Sequence, residues 1–187
     1  MLAPFPPGRR TALAGWALPP GWGCRALHDG DLAWLAALYA STREDELRAV
    51  PWPESVKQQF LGQQFVAQHQ HYLSVHPDAQ YLALEHDGQP VGRLYLDDQG
   101  VDDRIVDISL LPPWRGGGLG TVLLGRLQQA AAARQRGLHL HVMVHNTGAR
   151  RLYERLGFIG AAIAPGELHL PMHWAAASTV AAQPGLS

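Results

Sequence analysis

Between Trp22 and Trp174, short apolar runs alternate with longer segments whose apolar residues recur at helical spacing. Residues 22–27 read as a first strand. A helix follows, capped by Asp29 or Asp31 and running through Tyr39, with Leu32, Leu35, Leu38 and Tyr39 as its apolar face. Pro51 and Pro53 break the chain, and Pro53-Glu54 opens a second helix to about Tyr72. Residues 80–85 and 91–96 read as strands joined by Asp87-Gly88, a pair suited to the positive φ angles of a tight hairpin. A strand at 105–111 is followed by a helix from Leu119 to Arg136, closed by Gly137, and residues 138–144 alternate with period two. A further helix from about Thr147 to Leu156 is closed by Gly157, and strands near Phe158 and at 169–174 end the pattern. The alternation predicts an α/β (α+β) fold, a mixed, mainly antiparallel sheet flanked by helices.

Composition narrows the class. A chain of 187 residues that is 47% hydrophobic can bury one sizeable core, so one domain is expected, over residues 21–174. A formal net charge of -1 gives no general drive toward nucleic acid or a membrane surface. Cys24, the sole cysteine, cannot form an internal disulfide, which favours a reducing, cytoplasmic setting. No apolar run approaches the ~20 residues that span a bilayer. Arg9-Arg10 and the following apolar residues faintly suggest a twin-arginine signal. That segment is only about 8 residues long and ends in Pro19-Pro20, so residues 1–20 read as a proline-rich flexible leader. Residues 175–187 read as a flexible tail.

The chemistry concentrates after the strand at 105–111, in Arg115-Gly116-Gly117-Gly118-Leu119-Gly120. A turn nearly free of side chains lets a ligand reach the backbone, and the next helix aims unpaired amides at it, the usual nest for phosphate. A nucleoside-triphosphatase loop would need Gly-Lys-Ser/Thr, but Gly120 is followed by Thr121-Val122. A dinucleotide fingerprint counted from Gly118 and Gly120 would need a third small residue where Leu123 stands. The pattern Arg/Gln-x-x-Gly-x-Gly/Ala fits Arg115, Gly118 and Gly120. Downstream, Asn146-Thr147-Gly148-Ala149-Arg150-Arg151-Leu152-Tyr153 leads to Leu156-Gly157-Phe158.

These two ordered motifs resemble those of the GNAT acyltransferases, which bind acetyl-coenzyme A; the resemblance runs from about Trp22 to Trp174 and is strongest between Ile105 and Phe158. It implies two central parallel strands, here 105–110 and 138–144, that splay to admit the pantetheine arm. It also implies an N-acetyltransferase passing an acetyl group to a primary amine, on a small molecule or peptide, by direct transfer in a ternary complex. A homodimer stays open. The amides of Gly116, Gly117, Gly118, Leu119 and Gly120 would wrap the pyrophosphate, with Arg115 neutralising charge. Leu110 and Leu111 match positions whose backbone holds the pantetheine and thioester carbonyl. Asn146 could bond the pantetheine, cap a helix, or both. Tyr153 matches the tyrosine that protonates the departing thiolate; otherwise it is a core aromatic.

The base is less plain. Many relatives carry a glutamate early on the strand before the glycine loop, and Arg104 stands at that place here. Asp107, on the same strand, would accept the amine proton directly or through water, or else it is a buried structural carboxylate. Arg150 and Arg151 read as solvated rather than phosphate-binding. His139, His141 and His145 share a strand face, but no cysteine or carboxylate pattern completes a metal site, and no metal is expected. Thr42-Arg43-Glu44-Asp45-Glu46 reads as a capping box between the first two helices, with Ser41–Glu44 or Thr42–Asp45 as the pair, or as an acidic rim for a cationic amine. A non-catalytic acyl-coenzyme A sensor and a nucleotide-binding enzyme are the alternatives.

Overall fold

A computed structural model describes residues 2–7 and 18–176. The twin-arginine segment at 9–17 and the tail from 177 lie outside the described residues. In chain order the elements are β1 (Trp22–Ala26), α1 (Leu32–Arg48), α2 (Glu54–Val75), β2 (Gln80–His86), β3 (Gln89–Asp97), β4 (Asp103–Leu110), α3 (Leu119–Ala133), β5 (Leu138–Met143), α4 (Thr147–Arg155), β6 (Ile159–Gly160) and β7 (His169–Trp174). The strands form one sheet in the order β1-β2-β3-β4-β5-β7-β6. Every neighbouring pair is antiparallel except β4 with β5.

Period-two alternation sorts side chains between two apolar layers. Leu82, Leu84, Leu94, Leu96, Ile105, Leu138, Leu140 and Val142 point to one face and pack under α3 and α4. Tyr81, Ala83 and Tyr95, their neighbours in sequence, point to the other, where Leu35, Leu38, Tyr39 and Phe65 of α1 and α2 cover them. Phe5, which the sequence reading puts in the leader, joins this second layer. Phe5 is buried, its amide donates to Asp29, and the carbonyl of Ala3 lies 2.8 Å from His69 Nε2.

Helix α2 runs three residues past Tyr72 to Val75, β4 starts two residues early at Asp103, and three further differences from the sequence expectation bear on the site. Helix α1 continues past Tyr39 to Arg48, so residues 42–46 lie inside it and form no capping box. Ser41 and Thr42 donate their hydroxyls back to Leu38 O and Tyr39 O, each at 2.7 Å, which lets two good cap residues sit mid-helix. Asp29–Asp31 form a 3-10 turn capped by His28, and Asp31 makes no cap bond to α1. Its carboxylate is buried and accepts hydrogen bonds from Arg25 Nη1 and Nη2 and from the Trp34 indole, each at 2.7 Å. Finally, α3 stops at Ala133, three residues early, and Gln135 takes the positive φ instead of Gly137. Gly137 is required for another reason: a Cβ there would lie 2.9 Å from Trp174 O. Asp87-Gly88 and Gly157 behave as expected, all with positive φ. Among the described residues no helix is long and apolar enough to cross a membrane.

Candidate active site

Strands β4 and β5 pair only at Asp103–Leu138, Arg104–His139 and Ile105–Leu140. Beyond Ile105 they part. The cause lies on the other side of β4, where the register with β3 slips: Leu96 faces Ile105 and Tyr95 faces Asp107, leaving Val106 as a bulge. A bulge bends its strand, and this one turns the end of β4 away from β5. The opening expected from the resemblance therefore rests on one extra residue.

At the wide end of the opening lies the glycine loop. Pro112–Trp114 form a 3-10 turn, Gly116 and Gly118 take φ of 76° and 85°, and Gly118 is the N-cap of α3. A Cβ built at Gly116, Gly117 or Gly118 meets nothing within 4 Å, so the loop is open on its outer side. No described side chain caps α3, which leaves its first amides turned toward that opening. A pyrophosphate fits this cradle by shape and by the sign of the helix dipole. Gly120 differs, since a Cβ there would lie 3.3 Å from Leu152 Cδ2; it lets α3 and α4 approach. Arg115 is turned away from the loop. Its Nε donates to Leu110 O at 2.8 Å and its Nη2 to Ser41 Oγ at 2.8 Å, pinning the strand end to α1.

Helix α4 flanks the opening on the α3 side. Asn146 caps it, accepting the Ala149 amide on Oδ1 at 3.1 Å. Tyr153 is 8% exposed, with its ring 5.7 Å from that of Phe158. Burial, then the negative charge of Asp107, push its phenol up to about 12, so it stays protonated at neutral pH. Arg150 reaches Val144 O at 3.4 Å and its Nε is buried with no hydrogen-bond partner among the described residues, while Arg151 is exposed.

On the α1–α2 side Asp107 is engaged at both oxygens. Arg93 Nε and Nη2 donate to Oδ1 and Oδ2 at 3.1 and 2.8 Å, Ser109 Oγ to Oδ1 at 2.8 Å, and Tyr72 OH to Oδ2 at 3.2 Å. Arg93 also donates to Gln68 Oε1 at 2.8 Å and lies over the Tyr95 ring. Arg93, Tyr72 and Ser109 escape a sequence reading because they come from three elements. The available signal was Asp107 itself: a carboxylate inside an apolar strand requires a cation, and Arg93 is the basic residue of the neighbouring strand.

Helix α1 bridges the mouth. Arg43 Nη1 donates to Glu46 at 3.0 Å and lies 3.5 Å from Met143 Sδ, and Glu46 lies 3.4 Å from His145 Nε2. The acidic segment thus faces the end of β5, with Glu46 already held by two cationic groups or donors. His145 has left the row of His139 and His141, and no group of three or more metal-binding side chains exists among the described residues.

Known proteins resemble this chain in sequence or fold. The chain is 39% identical over 89 residues to mycothiol acetyltransferase of Nocardiopsis dassonvillei, covering 47% of this chain and 23% of that one. It is 47% identical over 55 residues to the N-acetyltransferase YycN of Bacillus subtilis, covering 29% of this chain and 35% of the relative. The chain thus matches about a quarter to a third of these relatives' lengths. The PaiA N-acetyltransferase of Thermoplasma acidophilum, solved with coenzyme A, superposes with a TM-score of 0.62 at 14% identity, over 82% of this chain and 98% of that one, a likeness of fold. The sequence model of the acetyltransferase (GNAT) family matches residues 35–158, and with the split sheet and glycine loop in view the chain belongs to that family.

Proposed function

We propose that this protein transfers an acetyl group from acetyl-coenzyme A to a primary amine, directly, in a ternary complex. The observation that carries the reading is a glycine cradle, open at the start of α3, that follows a strand parting from β5 beyond Ile105. Tyr153, protonated at neutral pH, supports it as the proton donor. Bound acetyl-coenzyme A supplies an acyl group activated as a thioester.

The chain's own groups divide the work. The amides of Gly116, Gly117, Gly118, Leu119 and Gly120 hold the pyrophosphate. The backbone of Leu110 and Leu111 would line the pantetheine, although the Leu111 amide and carbonyl already bond Val91 O and the Trp114 amide, and Asn146 would add a side-chain hydrogen bond. Arg115 secures Leu110 and contributes positive charge from the side. Tyr153 directs its hydroxyl proton at the departing sulfur. With its phenol near 12 and an ordinary thiol at ~8.5, complete proton transfer is uphill by roughly three units. Its main contribution is therefore a hydrogen bond to the developing thiolate, worth about 1.5–3 kcal/mol. For the amine proton we retain Asp107, acting through water. Both of its oxygens already accept hydrogen bonds, so it can reach the amine only through water, and the rate should climb with pH as the amine, of pKa ~10, arrives increasingly neutral.

Tyr153→Phe tests the assignment. Losing that hydrogen bond should lower kcat about 10- to 100-fold while coenzyme A affinity and melting temperature stay close to wild type. An unchanged kcat with both ordinary and more acidic leaving thiols would make Tyr153 a packing residue. One observation favours a second reading, an acyl-coenzyme A sensor: both oxygens of Asp107 are occupied. Acetyl-coenzyme A that stabilises the protein yet releases no thiol with any of a wide panel of amines would select it.

A further inference from the structure

Beyond α2 the sheet is left with an unusual floor. Arg104 of β4, His139 of β5 and His173 of β7 are successive cross-strand neighbours, so they form one row on the α1–α2 face. His141 stands two residues along β5 on the same face, and His169 of β7 lies beside Met143. Adjacent strands are about 4.8 Å apart, so the row spans roughly 10 Å. It ends one residue short of Ile105, where β4 and β5 separate and where the reacting amine must arrive.

The balance of charge around this floor is uneven. Glu46 is held by Arg43 and His145, Asp107 by Arg93, and Asp102 by His173 and the Gly137 amide. Asp97, the cross-strand neighbour of Arg104 on β3, is hydrogen-bonded to His76 at 2.7 Å and to the Gln99 amide. Arg104 is half-buried and forms no hydrogen bond or close ion pair with a described residue, acting on its surroundings only through its field. A guanidinium so placed, with imidazole donors along its row, is a receptor for an anion.

We propose that the acceptor is an amine that also carries a carboxylate, such as an amino acid or a short acidic peptide, and that Arg104 and His139 bind this carboxylate while the amine reaches the opening at Ile105. The inference rests on the acetyltransferase reading and narrows its substrate. Polyamines are disfavoured because a second ammonium would meet Arg104. The groups facing the two β5 imidazoles are Arg104 from β4, Asp102 from the turn before it, and His169 and His173 from β7. Burial first, and then Arg104, hold His139 and His141 below the usual imidazole range. An anion on the row offsets the field of Arg104 and raises both, so binding takes up protons and strengthens as pH falls from 8 to 6.

Three acceptors sharing a primary amine make the test: alanyl-glutamate, alaninamide and spermidine, assayed by thiol release from acetyl-coenzyme A. Alanyl-glutamate should show the highest kcat/KM, about tenfold or more above alaninamide, with spermidine lowest. Arg104→Gln should shrink the alanyl-glutamate advantage about tenfold, mainly through KM, and Arg104→Lys should restore part of it. In parallel, the ring signals of His139 and His141 are followed by NMR as alanyl-glutamate is added without acetyl-coenzyme A. Both should shift and titrate at higher pH, and Arg104→Gln should remove the response. Turnover that favours spermidine, with imidazoles unmoved by alanyl-glutamate, overturns the anion row and leaves acetyl transfer standing. Imidazoles that respond in an Arg104-dependent way without turnover of any amine sustain the row and overturn acetyl transfer. Neither turnover nor response overturns both.

Discussion

The Arg93–Asp107 pair can be cut in a way that separates its structural part from its chemical one. Arg93 has 4% of its side chain exposed and Asp107 14%, so the two charges meet largely out of water. Asp107→Ala leaves the Arg93 guanidinium with neutral acceptors, Gln68 and Ser109, and no counter-charge. Burial opposes the charged form of Arg93 and Asp107 is the first influence that restores it, so the loss should be that of an orphaned buried ion, about 3–5 kcal/mol. For a chain of this size each kcal/mol moves the melting temperature about 2–4 °C, giving a fall of roughly 6–20 °C. Replacing both partners by apolar residues, Arg93→Met with Asp107→Leu, removes the orphan and should recover most of the loss. Urea and thermal melts of the two variants measure this directly. A single variant that loses under 1 kcal/mol, or a double variant no more stable than the single, would refute the argument. In the recovered double variant any remaining loss of turnover belongs to chemistry. If Asp107 takes the amine proton, that loss should shrink as pH rises toward the amine's own pKa.

Other outcomes follow from the glycines and the histidines. Gly118→Val forces a β-branched residue to φ of 85° and should cost about 1–3 kcal/mol, and it should abolish the thermal stabilisation given by coenzyme A. Gly117→Ala, at ordinary φ and with open space around its Cβ, should leave stability nearly unchanged while weakening that stabilisation. Gly92→Ala would set a Cβ 2.5 Å from Ser109 O, a backbone atom, so β4 must move; a large fall in melting temperature and loss of coenzyme A binding together are expected. Because His139 and His141 are held below 6.5 in the folded chain, the unfolded chain binds more protons as pH drops through 6.5. Their contribution to stability is therefore present above that pH and is lost below it, and His139→Gln should flatten the fall in melting temperature between pH 7.5 and 5.5.

What was legible in the sequence was local. Asp87-Gly88, Gly118 and Gly157 announce positive φ, and Asn146 announces a cap, because each requirement is met within a few residues. The length of α1 was hidden because Ser41 and Thr42 are good caps by type, and only the folded helix lets their hydroxyls turn back to Leu38 and Tyr39. The partner of Asp107 was hidden because Arg93 lies 14 residues away and meets it through strand register, which the bulge at Val106 shifts by one. The burial of Phe5 has the same origin: its neighbours, His69 and Tyr81, are distant in sequence. The turning of Arg115 toward Ser41 depends on where α1 lies, which no motif encodes.

The three-residue contact between β4 and β5 has a mechanical consequence. A seven-stranded sheet ordinarily has two free edges; this one has two more in its middle, along the upper parts of β4 and β5. The first four strands and the last three are thus two panels on a short seam, with the panels otherwise joined through the helices and the bridge from α1 to Met143 and Ser41 to Arg115. Backbone amides facing the gap should exchange with solvent far faster than those of the β2–β3 ladder. Any extended chain lying in the gap and bonding to both edges knits the panels together, so the tightness of its grip and the stiffness of the C-terminal panel become one quantity.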